Sequence, residues 1–273
     1  MFFLNINNKF ILGIFLLINS LFAETKHSYI VLDANTKEIL KEENSTTKQG
    51  IASLTKIWTA LIVLENSKLD DEVIISKNAS FQKGSSIYLK ENQVFTIRDL
   101  VYGMLLRSGN DAAVALAEHI SGSEKEFTKL MNKKLKDLGI YDTNFVDVTG
   151  LGNNISTAKD VATMFQIALK NYRFKGISSQ ILYKHSFDGQ AWKNKHKLIG
   201  YKDKYSAFSG KTGYTKNTGR TLATAFYNND KSKSIIIVTL NEQDDWNIHK
   251  ILAQQVFNKM YKTRLHLTQD NFS

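Results

Sequence analysis

A chain of 273 residues, 42% of them hydrophobic and 23% charged, carries enough apolar material for one large domain or two subdomains sharing a cleft. It has no Cys, which excludes disulfide scaffolds, thiol nucleophiles and zinc–thiolate sites, and no Pro, which leaves the turns to Gly, Asn and Asp. The formal net charge of +10 is scattered along the whole length. It suits an anionic wall polymer or membrane surface, and nothing else in the sequence favours nucleic acid.

The chain opens on a short polar start, Met1 to Asn8, with Lys9 as its only charged side chain. An apolar run follows from Phe10 to Phe22, and Ala23 ends it just before Glu24-Thr25-Lys26. Thirteen residues fall short of the ~20 needed to span a bilayer core, so residues 1–23 are expected to be a signal peptide. Leu21, two before Ala23, leaves an uncleaved N-terminal anchor as the alternative. His27 to Leu32 and Ile39-Leu40 flank the turn-like Asp33-Ala34-Asn35-Thr36, which predicts a β-hairpin. Ser53 to Asn66 is the strongest local helix, with Ile57, Trp58, Leu61, Ile62 and Leu64 as its apolar face.

Gly84-Ser85-Ser86 predicts a loop. Thr96 is expected to cap a helix running to Arg107, with Asp99 in the place of the usual Glu. Helices are predicted over Asp111 to Ile120 and Glu124 to Leu138, the second stopped by Gly139. Another is predicted over Thr157 to Tyr172. Lys211 to Tyr214, Leu222 to Tyr227 and Ser234 to Leu240 read as strands, the last two joined at Asn228-Asn229-Asp230. Asn247 to Tyr261 closes the pattern as an amphipathic helix. Strands at both ends and helices between them predict an α+β fold: an antiparallel sheet flanked by helices, an inserted all-helical subdomain at about 67–160, and an active site in the cleft between. The catalytic domain is expected over 24–265 and a tail over 266–273.

Three short motifs carry chemistry. A serine nucleophile needs a base within hydrogen-bond reach, and Lys serves where burial and nearby cations lower its pKa. In Ser53-Leu54-Thr55-Lys56 the two side chains fall on one helix face. The same S-x-x-K spacing recurs at Ser45, Ser80 and Ser156, but only Ser53 begins a strongly apolar helix. Alone, the motif also fits an N-cap serine and a surface lysine. Ser108-Gly109-Asn110 offers a hydroxyl and an amide with both donors and an acceptor, or simply a cap for the next helix. Lys211-Thr212-Gly213 is the chain's single K-T-G. On an edge strand it presents a cation, a hydroxyl and a residue without a side chain, so substrate can lie along the backbone. The six histidines (27, 119, 185, 196, 249, 266) are far apart and predict no metal site.

S-x-x-K, S-x-N and K-T-G in this order are the signature of active-site serine penicillin-recognising enzymes. The runs A-S-L-T-K-I-W-T-A from Ala52, L-R-S-G-N-D-A-A-V-A-L-A-E from Leu106, T-N-F-V-D-V-T-G-L from Thr143, S-T-A-K-D from Ser156 and S-G-K-T-G-Y-T from Ser209 go further. Through them the chain resembles the low-molecular-mass penicillin-binding protein family of serine D-alanyl-D-alanine carboxypeptidases, over about residues 27–260. The resemblance implies a serine β-lactamase/transpeptidase-like fold. It implies peptidoglycan stem peptides as substrate, β-lactams as inhibitors and no cofactor. The N-terminal signal and the basic charge predict an exported, periplasmic or extracellular location with peripheral membrane or wall association. The resemblance also implies that Ser53 is acylated, Lys56 is the base and Ser108 relays a proton. Asn110 orients the substrate amide, Lys211 keeps the site positive, and Thr212 and Thr215 bind carboxylate. Gly213 lies in the strand, and the N–H groups of Ser53 and Tyr214 form the oxyanion hole.

Four departures stand out. Ile51 replaces a Pro, and Thr149 replaces a His that some relatives carry. Where relatives often carry a carboxylate-binding Arg, this chain reads Lys231-Ser232-Lys233-Ser234, so either Lys233 substitutes or the contact is lost. Many relatives continue into a β-rich domain and a membrane helix, whereas this chain stops at Ser273 and is expected to be soluble once its signal is cut. A class A β-lactamase is a rival, but those enzymes activate the deacylating water with a Glu after S-x-N. Phe127 to Asn241 contains no Glu. D,D-endopeptidase cleavage, transpeptidation and a non-catalytic wall-binding role are the other rivals.

Overall fold

The computed structural model describes residues 27–201 and 205–269, with side chains through Tyr261; the signal-peptide expectation for 1–23 lies outside them. The chain begins with strands β1 (Ser28–Asp33), β2 (Ile39–Glu43) and the short β3 (Gln49–Gly50). A single 3-10 turn, Ala52–Leu54, leads into helix α1 (Thr55–Asn66). Strand β4 (Glu72–Ile74), the four-residue helix α2 (Lys77–Ser80) and strand β5 (Val94–Thr96) come next. Helices α3 (Ile97–Leu106), α4 (Asn110–Ser121) and α5 (Glu124–Asp137) follow. The chain continues through β6 (Ile155–Ser156), α6 (Ala158–Lys170), α7 (Tyr172–Ser178), β7 (Leu182–Lys184) and β8 (Ala191–Lys193). It ends on β9 (Ser206–Thr215), β10 (Gly219–Tyr227), β11 (Ser234–Leu240) and the long helix α8 (Asp245–Gln269).

The main sheet is antiparallel, in the order β2-β1-β11-β10-β9, so the first hairpin closes against the last strands of the chain. Every residue of β11 is buried, as a strand covered on both faces must be. Alternate side chains serve alternate cores. Ile30, Leu32, Ala223, Ala225, Ile236 and Val238 pack with α1 and α6. Val31, Phe226, Ile235 and Ile237 pack with Leu252, Ala253, Val256 and Phe257 of α8. Helix α1 runs through the first core with Ile57, Trp58, Leu61 and Ile62 all essentially inaccessible. Each such side chain contributes about 1.5–3 kcal/mol of burial. The Trp58 indole donates to the Met131 carbonyl (3.1 Å), which ties α1 to α5.

Helix starts follow from side-chain caps. The hydroxyl of Thr96 accepts from the Asp99 amide (3.1 Å), that of Ser123 from Glu126 (3.2 Å) and that of Thr157 from Asp160 (3.0 Å). Gly139, at φ +71, closes α5, and the Ile140 amide bonds the Leu135 carbonyl (2.9 Å). The expected helix over Thr157 to Tyr172 is two elements. Asn171 interrupts it, because its carboxamide oxygen accepts from the amides of Arg173 (3.0 Å) and Phe174 (3.2 Å) and starts α7. The expected helical block also carries the β4–β5 ribbon, and the closing helix runs from Asp245 to Gln269, eight residues past the expected Tyr261.

Candidate active site

Ser53 lies in the 3-10 turn immediately ahead of α1, and Lys56 in the first turn of α1. The chain enters the turn through Ala52 at φ +47, a left-handed conformation that L-residues rarely adopt. Three residues apart on one face, Lys56 Nζ and Ser53 Oγ stand 3.1 Å apart. The other S-x-x-K serines are engaged differently. Ser45 donates to Glu42, Ser80 to the Lys77 carbonyl (2.8 Å), and Ser156 pairs with Thr143 (2.7 Å).

Lys56 is completely buried, and its Nζ donates to Asn110 Oδ1 (2.6 Å) and to the Thr149 carbonyl (2.5 Å). Burial lowers its pKa to about 7; Asp147 and Asp111 oppose that pull and Lys195 adds to it. A neutral amine has two N–H bonds and one lone pair. Asn110 and Thr149 take both N–H groups, so the lone pair is left facing the Ser53 hydroxyl. This is the arrangement a general base for Ser53 requires.

Asn110 is the first residue of α4, and its amide nitrogen donates to the Lys83 carbonyl (2.6 Å). Ser108 sits at φ +65 in the turn between α3 and α4, and its buried hydroxyl accepts from Lys211 Nζ (2.9 Å). Lys211 also donates to the Thr212 carbonyl (2.8 Å). Its pKa falls well below the usual lysine value through burial, with Lys56 and Lys195 adding repulsion. Edge strand β9 thus reaches the helical side through Lys211, while Gly213 faces Ser53. A Cβ at position 213 would stand 2.9 Å from the Ser53 backbone nitrogen and 2.4 Å from Thr221 Oγ1, so the close approach requires glycine.

The nine residues expected from sequence divide accordingly. Ser53, Lys56 and Asn110 form one bonded group, Ser108 and Lys211 a second, and Gly213 adjoins the first. Thr212 and Tyr214 alternate to the other face of β9, where Tyr214 is exposed. The Thr215 hydroxyl accepts from the Thr218 amide (3.0 Å) in the turn that follows. Lys233 does not join them. It lies in the exposed β10–β11 turn, where its amide donates to Asn228 Oδ1 (3.0 Å). From there to Arg220, opposite Tyr214, seven strand residues span roughly 23 Å.

Three further residues support the site without belonging to the three short motifs. The carboxylate of Asp147 accepts from the amides of Thr149 (2.7 Å), Gly150 (2.6 Å) and Gly152, and so shapes the turn that aims the Thr149 carbonyl at Lys56. Asp111 accepts from Ser86 Oγ (2.5 Å) and from the amides of Ile87 (3.0 Å) and Leu89 (3.1 Å), fixing the loop beside Asn110. Lys195 reaches across to Ser85 Oγ (3.1 Å) and adds a third lysine beside Lys56 and Lys211. The D-V-T-G-L run marks the Asp147 turn but not its part in holding Lys56.

A model of the D-alanyl-D-alanine carboxypeptidase family matches residues 21–244. The D-alanyl-D-alanine carboxypeptidase DacF of Bacillus subtilis is 37% identical over 205 residues, which cover 71% of this chain and 52% of that protein. The D-alanyl-D-alanine endopeptidase of Escherichia coli is 31% identical over 219 residues, covering 77% of this chain and 70% of that one. The chain therefore spans about half the length of the Bacillus protein. Among solved structures, the PBP3 peptidoglycan synthesis regulatory factor of Streptococcus pneumoniae superposes with a TM-score of 0.76 at 27% identity. It covers 84% of this chain and 72% of that one. Penicillin binding protein 5 of Haemophilus influenzae gives 0.72 at 30% identity, covering 78% and 64%.

Proposed function

The chain belongs to the D-alanyl-D-alanine carboxypeptidase family, and from that premise we propose that it is a serine hydrolase. It removes the terminal D-Ala from peptidoglycan pentapeptide stems and is acylated by β-lactams at the same serine. The observation that carries the proposal is the bonding of Lys56, whose two N–H groups are taken by Asn110 and Thr149 while Ser53 Oγ stands 3.1 Å away.

In the reaction, the Ser53 hydroxyl gives its proton to neutral Lys56 as Oγ attacks the carbonyl of the penultimate D-Ala. The amides of Ser53 and Tyr214 receive the oxyanion, which Gly213 allows by bringing the strand against the nucleophile. As the C–N bond breaks, Ser108, held by Lys211, passes a proton to the departing amine and recovers one from Lys56. Asn110 binds the acyl-side amide while still accepting from Lys56. Water then attacks the ester, its proton passes to Lys56, and Ser53 is released as the alcohol. Thr212 and Thr215 are assigned to the substrate carboxylate.

Export belongs to the same proposal. Met1 to Ala23 acts as the signal, and the enzyme works outside the cytoplasmic membrane at the wall, where its basic surface favours anionic polymer. Among the described residues no helix is long and apolar enough to cross a membrane. The test is D-Ala release from a purified pentapeptide stem by the protein and by Ser53→Ala; release unchanged in the variant contradicts the assignment. A second reading, endopeptidase cleavage of cross-bridges, is favoured by the Escherichia coli endopeptidase, a relative matched over 70% of its length. Following loss of cross-linked muropeptide dimers beside loss of pentapeptide separates the two.

A further inference from the structure

Tyr88 holds a left-handed backbone, φ +64, on the loop that walls the cleft beside Asn110. A bulky residue in that region is a true outlier, and such positions gather at functional sites. Its neighbours turn inward. Ile87 lies against Gly103, where a Cβ would stand 2.6 Å from Ile87 Cδ1, and Leu89 is only 4% exposed. Tyr88 turns outward and is 85% exposed. A single exposed apolar residue needs no explanation, but a ring displayed on a strained backbone does.

A buried carboxylate builds the display. Asp111 accepts from the amides of Ile87 (3.0 Å) and Leu89 (3.1 Å) and from the Ser86 hydroxyl, whose oxygen in turn accepts from the Tyr88 amide (2.7 Å). Three successive amides are thus satisfied with the ring outside. Asp111 follows Asn110, and the same loop meets Asn110 itself. The Asn110 amide donates to the Ser85 carbonyl (2.7 Å), and its side chain donates to the Lys83 carbonyl (2.6 Å). Asn110 is assigned to the acyl-side amide of the substrate, so the loop lies on the side where the stem leads back to its sugar. With the last residue of a pentapeptide removed, four residues separate the scissile carbonyl from that sugar, at most about 14 Å of extended chain. Tyr88 is three residues from Ser85, at most about 11 Å along the loop. A neutral, rigid ring with a hydroxyl at its tip suits the C–H face and hydroxyl edge of a pyranose.

We propose that the Tyr88 ring stacks on an N-acetylated sugar of the glycan strand that carries the stem. This makes it a specificity-determining residue that favours stems still attached to glycan over free peptides. The assignment rests on the carboxypeptidase reading for its natural ligand, and Asp111 acts as a positioning residue that holds the ring outward.

The experiment compares kcat/KM for a disaccharide-linked pentapeptide with that for the free pentapeptide. The wild-type protein is expected to favour the linked stem by about 2- to 10-fold, the range of one aromatic contact. Tyr88→Phe should keep that preference, and Tyr88→Asn, which tolerates a left-handed backbone, should bring it close to one. Tyr88→Asn should also melt no lower than the wild-type protein, because it removes strain and no buried contact. A wild-type ratio in Tyr88→Asn, an equal loss on both substrates, or a lowered melting midpoint overturns the proposal. So does self-association of the wild-type protein that Tyr88→Asn abolishes, which would give the ring to a second copy. Saturation-transfer NMR with a tetramer of N-acetylglucosamine separates the sugar contact from the peptidase reading. Transfer to the acetyl methyls that Tyr88→Asn loses supports the contact even if the wild-type protein releases no D-Ala, an outcome that contradicts the carboxypeptidase reading alone. Absence of transfer from the wild-type protein overturns the contact whatever the peptidase result.

Discussion

Gly150 lies so close to Ala52 that a Cβ at position 150 would stand 1.9 Å from the Ala52 carbonyl oxygen. It would also lie 2.9 Å from the Ser53 amide nitrogen, and Gly150 itself sits at φ +86. The turn that aims the Thr149 carbonyl at Lys56 therefore also braces the turn that carries Ser53. Gly150→Ala combines left-handed strain of about 1–2 kcal/mol with a backbone clash that displaces Ser53. A displacement of 1 Å can cost about 100-fold in rate. The variant is expected to lose at least about that much in its rate of penicillin acylation, with a lowered melting midpoint. A wild-type acylation rate would show that the two turns are not coupled.

The base role proposed for Lys56 sets a pH dependence. Lys56, whose pKa burial has lowered to about 7, must be neutral to accept the Ser53 proton. The second-order rate constant for acylation should rise tenfold per pH unit below about 7 and level off above it. Rates measured by stopped flow from pH 5 to 9 supply the profile. A flat profile through pH 7 would remove Lys56 from the role.

Asp147 is the largest influence holding the Lys56 pKa up against burial, and it also binds three backbone amides of its own turn. Asp147→Asn should shift the acidic limb of the acylation profile to lower pH, because the charged amine loses a favourable neighbour. It should also cost about 1–3 kcal/mol of stability, since the amides lose a charged acceptor. A limb that stays in place or moves up would contradict this account.

The β7–β8 ribbon brings Lys195 to the cleft, and Asp99 docks it by accepting from Tyr183 OH (2.7 Å), the Ser186 amide (3.1 Å) and the Ser186 hydroxyl. Tyr102 stacks on Tyr183 with ring centroids 3.6 Å apart. Burial pushes the Asp99 pKa up, but the bonds from Ser186, Tyr183 and Thr96 together outweigh it, so the folded-state value is lowered. Asp99 therefore adds stability above its unfolded carboxylate pKa, and that stability is lost as pH falls through the lower folded value. Tyr183→Phe should cost about 1–2 kcal/mol near neutrality. Asp99→Asn should flatten the acid side of a melting-midpoint profile, and an unchanged profile would refute the docking role.

What the sequence made legible followed local rules. The apolar period of α1, the caps at Thr96 and Thr157 and the closing Gly139 are each set within a few residues of chain. What it hid depended on tertiary register or on the backbone. Asn171 sits inside an apparently continuous helical pattern, and only its side-chain bonds to the next two or three amides reveal the break. Lys233 cannot be set apart from the site until the strand pairing places it at the end of β10 away from Tyr214. The bond from Lys56 to Thr149 uses a main-chain oxygen, which no side-chain motif encodes. Lys195 stands in a run with Lys193 and Lys197, and nothing local distinguishes it from its neighbours.

The central claim is that Ser53 is the nucleophile and that its acyl-enzyme with a β-lactam is long-lived. Residues 127–241, where a class A β-lactamase would be expected to place its deacylating Glu, contain none. The most direct measurement is the intact mass of the protein with and without benzylpenicillin, beside Ser53→Ala. The account predicts one adduct of the drug's mass that persists in the wild-type protein and is missing from the variant. An adduct retained by Ser53→Ala, or rapid consumption of the drug with no adduct, would contradict it.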